Sequence, residues 1–104
     1  LPDFNPDKLA GIFADIANQR AAQDKKWGNQ DIRSLETHMT IIVEEVGEVA
    51  NEVNNLRERE ELYGKSLPSE ELATRYHNMK VELIQVAACA VQMIEAVKAR
   101  EASL

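Results

Sequence analysis

Little in this sequence would break a helix, and little would favour a sheet. There are four glycines and three prolines among 104 residues, and aromatic residues make up only 5%. An all-β chain needs frequent turn residues and strands rich in β-branched and aromatic side chains, so that class is excluded. A single cysteine, Cys89, cannot form an internal disulfide and fits a reducing, cytoplasmic setting. No apolar run reaches the roughly 20 residues of a membrane span. No signal-peptide pattern opens the chain, which starts at Leu1 rather than Met. A net charge of -6 leaves no basic stripe for a nucleic-acid polymer. What remains is a soluble, all-helical protein, one domain over residues 1–104, with neither a membrane nor a nucleic-acid polymer as partner.

What is present divides into three helices. Asn5-Pro6-Asp7 combines a capping side chain, a proline at the first helical position and an acid in the first turn. Leu9, Ile12, Phe13, Ile16 and Ala17 follow at helical spacing, which predicts a first helix ending near Asp24. The segment from Lys25 to Gln30 breaks the period and holds the only tryptophan, so it is expected to be a functional loop. Ser34 caps a second helix with a stripe through Val46 and Val53, ending in the charged run 57–61, where a break is also compatible with the pattern. Residues 63–68 read as a loop, and Pro68-Ser69 opens a last helix. Between 83 and 97 that helix is apolar nearly all round, which requires burial on several sides. The expectation is a bundle of long antiparallel helices completed by homo-oligomerisation, as a homodimer or homotetramer.

The second helix carries an anomaly. Glu44, Glu45, Glu48 and Glu52 have no cation between them, although like charges three or four apart repel. Glu45 and Glu48, three apart, can converge on one point. On the last helix Glu82 and Gln85 repeat that spacing. Packing the two helices together would gather Glu45, Glu48, Glu82 and Gln85 around one centre, suited to a hard cation with oxygen ligands. A solvated acidic face is the plainer reading of the same residues.

Glu44-Glu45-Val46-Gly47-Glu48, followed by Glu82-Leu83-Ile84-Gln85, resembles the MazG-like nucleotide pyrophosphohydrolases of the all-α NTP pyrophosphatase superfamily. Their signature is a Glu-Glu-x-x-Glu segment on one helix and a Glu-x-x-Asp segment on a later one. The upstream segment from Gln23 to Gln30 is similar to a loop of phage-type members, and the resemblance spans roughly residues 19–95. It implies Mg²⁺- or Mn²⁺-dependent hydrolysis of a nucleoside triphosphate to monophosphate and pyrophosphate, in nucleotide-pool housekeeping. By position it implies catalytic roles for Glu44, Glu45, Glu48 and Glu82. Glu45, Glu48 and Glu82 would be metal ligands, Glu44 an auxiliary acid, and Gln85 would stand at the position of a fourth ligand. Gln85 stands where the family has Asp; it brings no charge and cannot act as a base. The substitution keeps a second expectation open, a helical nucleotide-binding or protein-interaction module with weakened or lost chemistry.

The remaining candidates each have a plain reading. Lys25 and Lys26 are expected either to contact phosphates or to be solvated. Trp27 either stacks on a base or anchors its loop to the core. Gln30 is a candidate base contact, and Gly28 supplies a turn. His38 and His77 read as packing or surface residues, and Cys89 as a small buried hydrophobe. Arg57, Arg59 and Arg75 read as surface ion-pair partners ahead of any reach toward a triphosphate.

Overall fold

A computed structural model describes residues 4–64 and 67–104. Three helices account for nearly all of them: α1 (Pro6–Trp27), α2 (Leu35–Tyr63) and α3 (Ser69–Ala102). The Asn5 side chain caps α1 by accepting from the amides of Asp7 and Lys8 at 3.0 and 3.3 Å. The helix does not stop near Asp24. Lys25 and Lys26 are good helix formers and place positive charge at the carbonyl end of the helix dipole, so Lys25, Lys26 and Trp27 form its last turn. Gly28 ends it, with φ 73° in the left-handed region that favours glycine, while its amide donates to the Asp24 carbonyl at 2.9 Å. The expected functional loop is therefore half helix, and the true connection is only residues 28–34.

Ser34 caps α2, its hydroxyl accepting from the Thr37 amide at 3.1 Å. The charged run causes no break: Arg57 pairs with Glu61 across one turn and the helix continues to Tyr63, stopping at Gly64 (φ 66°). Lys65 and Ser66, within the expected loop, lie outside the described residues. Leu67 is buried. Pro68 precedes α3 without a side-chain cap, and Glu70 and Glu71 complement the amides of its first turn.

The side-chain register fixes the directions. Gln19 meets Gln85 and Gln23 meets Gln92, so α1 runs parallel to α3. Arg59 meets Glu71 while Arg100 reaches the carbonyls of Asp31 and Arg33 just before α2, so α2 runs antiparallel. Both α1 and α2 pack along α3 but not on each other, which leaves a cleft between them. The short 28–34 connection is held in place from below. His38, 1% exposed, uses Nε2 to donate to the Gln30 carbonyl at 3.0 Å.

The stripe expected to centre the packing of α2 does not face α3. Val46 and Val53 are about half exposed, at 50% and 48%. The flank carrying Ile42, Glu45, Val49, Glu52 and Leu56 turns inward instead. On α3, Leu83, Ile94 and Val97 are likewise left outward. The fully buried apolar core is small: Leu56, Leu67, Ala88, Cys89 and Ala96. The radius of gyration is 17.1 Å, against about 13 Å for a compact chain of this length. No helix among the described residues is long and apolar enough to cross a membrane.

Candidate functional site

The inward flank of α2 carries acid into a helix interface. Glu45 and Glu48 lie one turn apart on α2, and α3 brings Glu82 opposite them. One carboxylate oxygen from each of the three lies within 4.8 Å of the other two. Glu45 and Glu82 are half-buried, and each has a buried Oε2 without a hydrogen-bond partner. A buried acceptor left unpaired costs roughly 1–3 kcal/mol, and more when charged.

The protonation of the cluster follows from that crowding. Glu48 and Glu82 can hydrogen-bond only while one of them holds a proton. That bond, reinforced by burial and by the charges of Glu48, Glu45 and Glu52, pushes the Glu82 carboxyl up to about 7. Burial, followed by the Glu48 carboxylate, raises Glu45 as well. Three acids therefore share one small volume, and the proton affinities of Glu45 and Glu82 are pushed upward. The other charged clusters of the chain differ. Glu71 sits between Arg59 at 2.7 Å and Arg75 at 3.4 Å, and these guanidiniums hold its carboxyl below the ordinary glutamate range. Arg57, Arg59 and Arg75 thus behave as ion-pair partners.

Glu45 also forms one edge of the cleft between α1 and α2, a space of about 350 Å³, within the range of small-molecule sites. Lys26, Trp27 and Arg33 line its rim. The Lys26 ammonium stands 4.9 Å over the Trp27 ring, a cation–π contact. Trp27 is 59% exposed, so it does not anchor a loop to this chain's core. Lys25 is exposed on the same turn and is not part of the lining. Glu44 is exposed beside the acid cluster, where its charge adds to the rise at Glu45.

Gln85 lines the same cleft as Glu45. Its Oε1 accepts from Gln19 Nε2 at 3.1 Å, which ties it to α1 and the cleft wall. Cys89 is buried on the cleft floor, where desolvation, then the Glu45 charge, pushes its thiol up. It stays S–H and is not a nucleophile. His77 is exposed, away from this cleft.

Several residues that build the cleft carried no local signal. Arg20, only 7% exposed, is held by Glu95 across on α3 and by Asp24 one turn along α1. It donates from Nη1 to Gln23 Oε1 at 3.0 Å. Gln92 Nε2 approaches that same oxygen at 3.5 Å. Gln30 Nε2 donates to the Gln23 main-chain carbonyl at 3.1 Å. The one sequence signal was spacing: Gln19 and Gln23 are four apart on α1, Gln85 and Gln92 seven apart on α3, and each pair shares a helix face.

No family model matches the chain, and neither does any curated protein or solved structure.

Proposed function

We propose that the chain is a Mg²⁺-dependent nucleoside triphosphate pyrophosphohydrolase, with Mn²⁺ as a substitute cation. The observation that carries this reading is the convergence of Glu45, Glu48 and Glu82 from two helices, with two buried oxygens unpaired, at the edge of an open cleft. The donor set fits a hard cation: all oxygen, mostly charged, and lacking any internal cation. Glu45, Glu48 and Glu82 would hold it, with Glu44 adding charge from outside. When bound, the cation would neutralise the triphosphate and favour attack by water.

The overall chemistry needs no covalent nucleophile. Water adds to the α-phosphorus, the α–β phosphoanhydride bond breaks, and pyrophosphate leaves with the electron pair. Lys26 and Arg33, on the cleft rim, supply positive charge for phosphate oxygens, while exposed Trp27 offers a face for stacking a base. Lys25 stands nearby as a peripheral cation. Resemblance of the acid segments to the MazG-like enzymes supports the same reaction.

A homo-oligomer belongs to this reading. The chain exposes 7648 Å², whereas a compact monomer of this mass exposes about 5,900 Å². Covering the excess on two copies would bury an area in the range of obligate dimers, roughly 2,000–5,000 Å² in total. Val43, Val46 and Val53 on α2, with Leu83, Ile94 and Val97 on α3, offer the apolar surface to do it.

The test is product identification with a panel of dNTPs and Mg²⁺. Pyrophosphate in step with monophosphate supports the reaction; no turnover at high enzyme concentration rejects it. Gln85, neutral and tied to Gln19, favours a second reading, a nucleotide-binding module without chemistry. Nucleotide binding without products would select it.

A further inference from the structure

All five glutamines of the sequence line the one cleft beside the acid cluster. Two of them, Gln30 and Gln92, are only 3% exposed. A carboxamide can present either its oxygen or its NH₂, so its meaning to a ligand depends on which way it is held. Here the neighbours decide.

The chain of orientation begins at Arg20, which can only donate. Glu95 and Asp24 fix its guanidinium, and its Nη1 lies 3.0 Å from Gln23, so the atom facing it is the Gln23 oxygen. That oxygen in turn obliges Gln92 to approach it with Nε2, which directs Gln92 Oε1 elsewhere. The Gln23 main-chain carbonyl likewise obliges Gln30 to approach with Nε2. Gln30 Oε1 is then buried with no donor in the protein. Neither inner amide is free to flip without leaving a donor against a donor or an oxygen against an oxygen. Gln30 therefore retains a buried acceptor with no donor among the described residues, and Gln92 Oε1 is held facing away from Gln23.

We propose that this cleft selects nucleotides whose base carries an exocyclic amino group, because Gln30 Oε1 and Gln92 Oε1 are fixed as acceptors for it. The inference rests on the nucleotide pyrophosphohydrolase reading and specifies its substrate class. An amino-bearing ring supplies two N–H donors at the exocyclic position; the matching keto ring sets an oxygen there and offers only the single N–H of its adjacent ring nitrogen, which leaves at least one fixed oxygen unpaired. Arg20 acts as a positioning residue, setting the direction of the Gln92 amide through the Gln23 side chain without reaching the ligand, while the Gln23 main-chain carbonyl sets that of Gln30. Trp27, at the rim, suits the face of the same ring.

Two isosteric substrate pairs test this: dCTP against dUTP, and dATP against dITP, each exchanging an amino group for a keto oxygen and the adjacent ring nitrogen from acceptor to N–H. Pyrophosphate release is measured with Mg²⁺ for all four, and binding with Ca²⁺ in place of Mg²⁺. In each pair that reacts, the amino member is expected to be favoured by about tenfold or more in kcat/KM. Gln92→Leu should shrink that ratio several-fold without inverting it, with helical circular dichroism confirming the fold. Equal or inverted ratios with pyrophosphate still released overturn the amino selectivity and leave the reaction standing. Failure of all four to bind or react removes the reaction and this inference together.

Discussion

Two clusters of charge sit on α3 within four turns of each other, and they are built on opposite principles. At Arg20, Glu95 and Asp24, one buried cation meets two acids, and every strong group has a partner. At Glu45, Glu48 and Glu82, three acids meet with no cation, and two oxygens have no partner at all. The first arrangement is what folding alone would select. The second opposes folding, since repulsion and desolvation both push the Glu45 and Glu82 carboxyls toward the neutral form. A cluster that weakens the fold, beside an open cleft, points to a positive charge supplied from outside.

The contrast can be broken most directly at the acid end. Glu48→Ala should reduce pyrophosphate release by about 10²–10³-fold or more, by analogy with loss of one electrostatic catalytic contact, with helical content unchanged. Full retention of turnover would remove Glu48 from the metal site. Next in size is Arg20→Ala, expected to cost about 1–3 kcal/mol in chemical denaturation, because burial and hydrogen bonds are lost while Glu95 and Asp24 remain within reach of water. A neutral result would mean the paired cluster does not hold α1 to α3.

Glu82→Gln should act in the opposite sense on stability. Removing one acid from the cluster relieves repulsion, and a gain of order 1 kcal/mol would raise Tm by about 4–8 °C at pH 7.5 without divalent ions, while turnover is lost. The pH dependence has the same origin. Glu82 holds its proton in the folded state up to about pH 7 but loses it near the ordinary glutamate value when unfolded. Between those values the folded chain binds more protons, so this group's contribution to stability falls as pH rises from about 4.5 to 7. Thermal melts of the wild type against Glu82→Gln should diverge across that window, and parallel curves would contradict the assignment. The smallest effect belongs to Lys25→Ala, solvent-facing and outside the cleft lining, which should stay within about 0.5 kcal/mol in stability and leave kcat/KM nearly unchanged.

The ends of the helices were legible because their signals are local. Asn5-Pro6, Ser34 and the two positive-φ glycines act on the nearest few amides. Glu45, Glu48 and Glu82 were legible for a related reason, the i, i+3 spacing on α2 and the absence of any neighbouring cation. Two things were hidden. The stripe through Val46 and Val53 is the most apolar face of α2, yet α3 packs on the flank beside it, so hydrophobicity located an exposed face rather than the interface within this chain. The amide network was hidden because Arg20, Gln23 and Gln92 look like ordinary solvated residues until α1 and α3 come together. The bond from Gln19 to Gln85 was hidden for the same long-range reason.

The central claim is that the three glutamates hold a divalent cation, and the most direct measurement is calorimetric titration of Mg²⁺ into the protein at pH 6.5, repeated in two buffers of different ionisation enthalpy. Saturable binding is expected with release of protons, because a cation must displace the proton that Glu82 carries at that pH. Glu82→Gln should lose the proton release and weaken the binding. The absence of any saturable Mg²⁺ binding to the wild type, or identical proton release in Glu82→Gln, would contradict it.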